Sequence, residues 1–273
     1  MFKRRMNMNN QVSKSKYQIA NIVSFILTIV VNVLANILPI NGLSTGQAAA
    51  MYQNLFMPAN VFFYIWVVIY FALAIFIIYQ SGLISKGKND NLDFVFDIGW
   101  YFTLASIANV VWLISWHYKK VLLSLIMMIM LFICLLIIYR RLKQRKAVSS
   151  REKMFVHFAF SIYLGWITVA TIANITAALS SFNWNWFGIS EQLGTVFLIA
   201  ITTLTALHFL SGWNDIWYCL AITWGLLGIL LKHTSVFKWK YLGIIGMTFL
   251  CILLITLSIL RTIIANNRAR KTT

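Results

Sequence analysis

Long apolar segments separated by short polar connections run through the whole chain. Eight of them are long enough to cross a hydrocarbon layer of about 30 Å at about 1.5 Å per helical residue. They lie near residues 17–38, 60–83, 94–116, 121–139, 155–179, 193–210, 213–231 and 241–260. The sixth and seventh segments meet at Ser211-Gly212, and the count falls to seven if they form one bent helix. The pattern predicts an all-α polytopic membrane protein.

The composition favours the same fold class. The chain is 60% hydrophobic and 11% charged, with a mean hydropathy of +0.79, whereas soluble domains carry about 25% charged residues. The net charge of +17 would suggest nucleic acid for a soluble chain. Here the basic residues lie between apolar segments, so we expect the lipid bilayer, and not nucleic acid, as the partner. Cys134, Cys219 and Cys251 lie inside apolar segments without metal-ligand spacing, and no metal site is predicted.

The distribution of basic residues predicts the orientation. With eight spans and a cytoplasmic N-terminus, all but five of the 23 Lys and Arg residues fall on the inner side. The outer ones are Lys119, Lys120, Lys232, Lys238 and Lys240. Seven spans would place the basic C-terminus outside. We therefore expect eight spans with both termini cytoplasmic, and the basic inner loops favour a bacterial plasma membrane.

The first outer connection, Asn41 to Ala59, carries no charge and is partly apolar. Pro39 and Pro58 flank it, and residues 48–56 are weakly helical in pattern. Long loops of this kind are often functional. Two interpretations stay open: a lid across the outer mouth of the helices, or a loop that rests on the membrane interface.

A stripe of aromatic, small and amide side chains marks the fifth segment. Tyr163, Trp166, Ala170 and Asn174 fall within an arc of about 80°, since successive helical residues turn by about 100°. Such a stripe does not face hydrocarbon. It either packs against neighbouring helices, for which interhelical amides are common, or lines a pocket.

Two other segments present similar faces. Trp66 and Tyr70 lie four residues apart on the second segment, and the third carries Asn109, Trp112 and Trp116 at spacings of three and four. Residues at these spacings share one face of a helix. Each of the three segments therefore directs aromatic rings with polar atoms toward something other than lipid.

Residues for enzymatic chemistry are sparse. None of the six acidic residues sits in the middle of a span with a partner at hydrogen-bonding spacing, and the sequence has no Gly-rich phosphate loop. The histidines, His117, His157, His208 and His233, fall in different elements without a carboxylate neighbour. We assign no catalytic residue. His117 and His157 are expected at the interface, and one histidine as a haem ligand stays an alternative.

The aromatic faces also carry the motifs of a known family. The second segment contains Pro58, Val61, Phe62, Ile65, Trp66, Ile69 and Tyr70. This spacing resembles the second-helix motif of the translocator protein family, also called tryptophan-rich sensory proteins or peripheral benzodiazepine receptor-like proteins. The family's third-helix and fifth-helix motifs are similar to Asn109-x-x-Trp112 and Tyr163-x-x-Trp166-x-x-x-Ala170-x-x-x-Asn174. The resemblance covers roughly residues 17–183. Ile162 stands where the family has proline, and Leu73-Ala74 where it has Met-Gly.

The resemblance implies a five-helix bundle with a pocket for tetrapyrroles, sterols or similar flat apolar ligands beneath the first loop. The chain would then divide into a translocator-like domain, residues 1–183, and a three-helix extension, residues 184–273. The expected ligand-binding residues are Trp66, Tyr70, Asn109, Trp112, Tyr163, Trp166, Ala170 and Asn174. No cofactor is required, although a bound porphyrin or haem is a candidate. Trp213, Trp217 and Trp224 form a further aromatic face, for packing on the bundle or for a homo-oligomer contact.

The leading functional prediction is a non-enzymatic receptor, sensor or carrier for a small apolar or amphipathic ligand, with porphyrins as the first class. A secondary transporter without ion coupling is one alternative, since no paired charges lie at mid-span. Porphyrin degradation and a structural membrane role are the others.

Overall fold

A computed structural model describes residues 2–38, 40–42, 51, 54–84, 92–184 and 186–272. It is 84% helical, with no strand among the described residues, which confirms the all-α prediction. The helices are α1 (Phe2–Ile37), α2 (Asn60–Gln80), α3 (Phe94–Ile98), α4 (Tyr101–His117), α5 (Val121–Lys143), α6 (Ser150–Ser181), α7 (Glu191–Trp213), α8 (Ile216–Val236) and α9 (Leu242–Thr272). The first turn of α2 is a 3-10 helix, and α6 and α8 each contain a π turn, at Lys153–His157 and Lys232–Val236.

Within the described residues, seven helices are long and apolar enough to cross a membrane. They are α1, α2, α5, α6, α7, α8 and α9. The protein is therefore an integral membrane protein. Helix α4 has 17 residues, and the break that separates it from α3 falls at Gly99, which has φ +50°. The predicted eight spans require α4 as a further span, and that arrangement, with both termini cytoplasmic, stays a prediction.

The sixth and seventh apolar segments form separate helices, but they do not meet at Ser211-Gly212 as expected. Helix α7 continues through those residues and ends where Asn214 adopts a left-handed conformation (φ 52°, ψ 36°). Asp215 then caps α8 by accepting a hydrogen bond from Tyr218 N at 3.1 Å, as expected for an acid at a helix N-terminus. Because the chain breaks at Asn214, Trp213 does not belong to the helix that carries Trp217 and Trp224, and the predicted continuous aromatic face is wrong.

Two compact units make up the chain. Unit 1 comprises residues 1–45 and 67–160, and unit 2 comprises residues 46–66 and 161–273. The predicted domain boundary at residue 183 stays a prediction. Residues 43–50 and 52–53 of the first outer connection lie outside the described residues, as does Pro39, so both interpretations of this loop stay predictions.

Unit 1 is centred on a cluster of phenylalanine rings from α2, α3, α4 and the start of α6. Phe76 lies 5.1 Å from Phe160, 5.4 Å from Phe102 and 6.4 Å from Phe94, measured between ring centroids. All four side chains are almost fully buried. Edge-to-face contacts of this kind add to the burial of apolar area.

One histidine of unit 1 differs from the sequence expectation. His157, predicted to lack a carboxylate neighbour, has its Nε2 3.6 Å from Glu152 Oε1. The π turn explains the difference, because it places residues five apart on the same side of the helix. His117 is buried within the protein, with its Nδ1 2.9 Å from Leu113 O, and its location at the membrane interface stays a prediction.

In unit 2 the helices α6 and α8 approach closely along a line of small residues. An ideal Cβ at Gly165 would lie 2.7 Å from Tyr218 O, and one at Gly225 would lie 2.8 Å from a methyl group of Val169. Small residues of this kind let helix backbones come together in membranes. Ser161 begins the same line, and its hydroxyl donates to Asp215 Oδ2 at 2.6 Å.

Candidate functional site

Three of the eight predicted site residues form an aromatic cluster in unit 2. The ring of Trp66 meets Tyr163 at 5.9 Å and Trp166 at 6.5 Å between centroids, both edge to face. Trp66 comes from the start of α2, and the other two come from one turn of α6. The helical spacing that predicted the stripe therefore places Tyr163 and Trp166 beside the same partner.

Phe63 is a fourth member of this cluster that the sequence analysis did not single out. Its ring lies 5.8 Å from that of Trp166 at an interplanar angle of 83°. Phe63 is three residues before Trp66, in the 3-10 turn that opens α2, so an i, i+3 reading of the second segment would have detected it.

The indole N–H of Trp166 is the unusual polar atom of the cluster. Trp166 is 1% exposed, and its Nε1 has no hydrogen-bond acceptor among the described residues. A buried donor without an acceptor costs about 1–3 kcal/mol. The cluster therefore offers one strong, directed donor to any molecule that enters between its rings.

Farther along the stripe, the side chain of Asn174 turns back onto its own helix. Its Nδ2 donates to Ala170 O at 2.8 Å, and the residue is 4% exposed. Ala170 is half-buried. This hydrogen bond lies within α6, so it does not assign Asn174 to packing between helices, and its role in the ligand site stays a prediction.

The remaining predicted residues belong to unit 1. Asn109 is fully buried and accepts a hydrogen bond from Asn32 Nδ2 at 3.0 Å. Trp112 stacks on Trp116, with 6.4 Å between centroids and an angle of 25°. Tyr70 is half-buried on α2. Asn32 was missed, although an amide in the middle of an apolar segment is a signal that the sequence contains. That these three residues and the unit 2 cluster form one ligand site stays a prediction.

The end of the first loop is held firmly within unit 2. Asn54 Oδ1 accepts hydrogen bonds from the backbone N–H groups of Phe56 (3.1 Å) and Met57 (2.8 Å). Leu55 is bound on both sides: its N–H donates to Glu191 Oε1 at 3.2 Å, and its carbonyl accepts from His233 Nε2 at 2.8 Å. Residues 54–57 are buried. This segment, hereafter the loop anchor, connects the loop directly to α7 and α8.

We expect His233→Ala to release the loop anchor. The substitution removes the donor to Leu55 O and leaves a buried carbonyl without its partner. This should lower the free energy of unfolding by about 1–3 kcal/mol. Limited proteolysis should then cut between residues 51 and 59 several-fold faster than in the wild type. His208→Ala is the matched control, since His208 makes ring contacts in α7 and none with the loop anchor. Equal cleavage rates in both variants would contradict the anchoring role.

Comparison with known proteins identifies the family. The family model described as TSPO-like protein matches residues 18–262. That range extends past residue 183 and includes most of the three helices that the sequence analysis treated as an extension. No curated protein and no solved structure matches the chain significantly. Because the family model spans most of the chain, the resemblance drawn from the motifs is confirmed, and the protein belongs to the TSPO-like family of helical membrane proteins with a sensing or binding role.

Proposed function

We propose that this protein is a membrane receptor, sensor or carrier that binds a flat, partly apolar molecule, with a porphyrin or haem as the first candidate. The observation that carries the proposal is the buried indole N–H of Trp166, which has no acceptor among the described residues and lies inside a cluster of aromatic rings.

The chemistry of the cluster suits a tetrapyrrole. Aromatic rings provide offset-stacked or edge-to-face surfaces for a flat macrocycle. A porphyrin also carries carboxylate groups at its edge, and one carboxylate oxygen is the acceptor that Trp166 Nε1 lacks. Ligand sites of this type are mostly apolar with a small number of placed polar groups, and this cluster has that composition.

Entry of the ligand requires that the rings separate. Trp66 is half-buried, while Tyr163 and Trp166 are almost fully buried. Trp66 is therefore the ring that can turn outward, because the other two are enclosed by α6 and its neighbours. We propose that the ligand slides between Trp66 and the pair on α6, with Asn174 and Ala170 continuing the surface along the helix.

Titration with protoporphyrin IX tests this function. Binding to the purified full chain is followed by the shift of the porphyrin absorbance band, so that the removal of a tryptophan does not alter the signal. Trp166→Phe keeps a ring and removes the N–H, and we expect its affinity to fall about tenfold, which corresponds to one charge-assisted hydrogen bond. Trp217→Phe, at a tryptophan that is 48% exposed on α8, is the matched control and should bind like the wild type.

The outcomes separate the alternatives. Saturable binding that weakens in Trp166→Phe alone supports the cluster as the site. Binding that is unchanged in Trp166→Phe, or that weakens equally in Trp217→Phe, would refute the cluster as the porphyrin site. For a protein that binds, counterflow of porphyrin in proteoliposomes distinguishes a carrier from a sensor.

A further inference from the structure

An apolar groove opens on the surface of unit 2 and shares no residue with the cluster around Trp166. It has a volume of about 640 Å³ and lies between α8, α9 and the first turn of α2. Small-molecule sites occupy roughly 300–1,000 Å³, so the groove is large enough for a ligand. Its lining includes Phe62, Trp224, Trp239, Ile245, Gly246 and Phe249.

Two tryptophans line the groove; the indole of Trp224 and the backbone of Trp239 are held by hydrogen bonds. Trp224 Nε1 donates to Phe62 O at 2.8 Å, and the two rings lie 4.6 Å apart. Trp239 belongs to a turn in which both it and Lys238 have positive φ (64° and 46°), and its N–H donates to His233 O at 3.0 Å. The groove is therefore shaped by the hydrogen-bonded indole of Trp224 and by the hydrogen-bonded turn at Trp239.

Gly246 leaves the groove open. An ideal Cβ at this position meets no atom within 4 Å. By contrast, a Cβ at Gly228 of α8 would lie 2.7 Å from Pro58 Cβ, where the helix packs against the start of α2. A large side chain at position 246 would thus fill the groove without displacing its neighbours.

The chain segment that joins α8 to α9 beside the groove is basic. Residues 232–240 contain three lysines and no acidic residue. Lys232 is engaged, because its Nζ donates to Asn54 O at 3.3 Å and it also interacts with the charge of Glu191. Lys238 and Lys240 are exposed and are the sequence neighbours of Trp239, and Lys240 Nζ lies 5.2 Å from the ring centroid of Tyr241. The turn that contributes Trp239 to the groove therefore also carries two exposed lysines.

We propose that the groove binds an acyl chain of an anionic phospholipid from the bilayer, with the phosphate group beside Lys238 and Lys240. The apolar lining suits an acyl chain, and the indole of Trp239 suits the boundary between the acyl chain and the headgroup. The ammonium groups of the two lysines can donate charge-assisted hydrogen bonds to the phosphate. A second copy of the protein fits less well. A two-fold contact through this surface would bring the same patch, with its lysines, against itself, and like charges at an interface are unfavourable.

The test uses the delipidated full chain in a neutral detergent, titrated with phosphatidylglycerol or phosphatidylcholine, with bound lipid counted by native mass spectrometry. Gly246→Leu fills the groove and should lower the affinity for phosphatidylglycerol about tenfold. Lys238→Gln with Lys240→Gln should remove the preference for phosphatidylglycerol over phosphatidylcholine. The controls are Gly212→Leu, where an added Cβ also meets nothing, and Lys119→Gln with Lys120→Gln.

A lower phosphatidylglycerol affinity in Gly246→Leu and a lost lipid preference in the lysine variant, with unchanged controls, support the proposal. A phosphatidylglycerol affinity unchanged in Gly246→Leu, or a lipid preference unchanged in the lysine variant, overturns it. A change from dimer to monomer in Gly246→Leu would assign the groove to a second copy. Displacement of the lipid by protoporphyrin IX would assign the groove to the ligand of the proposed function and overturn the lipid proposal. The proposal does not depend on the Trp166 cluster, so failure at one site leaves the other intact.

Discussion

Replacement of Arg145 by alanine is expected to lower the free energy of unfolding by about 3 kcal/mol, which is the low end of the loss when one partner of a buried ion pair is removed. Arg145 Nε donates to Glu152 Oε1 at 2.8 Å, and its Nη1 donates to Asp97 Oδ2. Glu152 is 2% exposed, so alanine would leave its carboxylate buried without this cation. Asp97 has a side chain that is 34% exposed, and water would replace its partner in part.

Burial by itself would lower the pKa of Arg145. The hydrogen bond with Asp97, the charges of Glu152 and Asp97 and the hydrogen bond with Glu152 outweigh that effect, and the pKa is raised. The guanidinium therefore stays charged. Arg145→Lys should lose less stability than Arg145→Ala, because it keeps the charge but not the planar fork that contacts both acids.

Thermal unfolding of the purified variants measures these differences. Arg140→Ala removes a neighbouring exposed arginine and should change stability little. Adding Glu152→Gln to Arg145→Ala should recover part of the loss, since the buried group is then neutral. An equal loss in Arg140→Ala, or no recovery in the double variant, would show that the ion pairs are not the source of the stability.

The helices were largely predictable because apolar length and helical period are properties of the sequence itself. The break between α7 and α8 was not. Ser211-Gly212 has the composition of a turn, yet a Cβ at Gly212 meets nothing and the helix continues through it. The chain turns instead at Asn214, whose side chain tolerates the left-handed conformation. Local composition identified the region of the turn and missed its position by two residues.

The site was predictable only in part, for a related reason. Periodicity placed Tyr163 and Trp166 on one face of α6, but it contains no information about which residue of another helix faces them. The sequence marks Phe63 by its spacing from Trp66 and Asn32 by its polarity, but their partners, Trp166 and Asn109, are distant in sequence and could not be predicted. His157 gained a carboxylate neighbour because a π turn replaced the regular helical spacing.

Substitution of Gly165 by alanine is the second change with a large expected effect. The new Cβ would lie 2.7 Å from Tyr218 O and 2.8 Å from Ala221 Cβ, and neither the backbone oxygen nor the short alanine side chain can move aside. Overpacking of this kind costs about 1–3 kcal/mol, and the gain of about 1 kcal/mol in helix propensity from glycine to alanine offsets only the low end of that cost. Gly246→Ala gains the same helix propensity, and its new Cβ meets no atom within 4 Å. This substitution should therefore leave the free energy of unfolding unchanged or raise it.

The consequence of Gly165→Ala extends to the aromatic cluster. Ser161, Gly165 and Val169 lie roughly 140° around α6 from the stripe that holds Tyr163 and Trp166, at about 100° per residue. Helix α8 therefore supports α6 from behind, and a shift at Gly165 moves the stripe relative to Trp66. We expect Gly165→Ala to weaken porphyrin binding although it touches no ring of the cluster, while Gly246→Ala binds like the wild type. If Gly165→Ala lowered the unfolding temperature but left porphyrin affinity unchanged, α8 would stabilise the protein without positioning its ligand site.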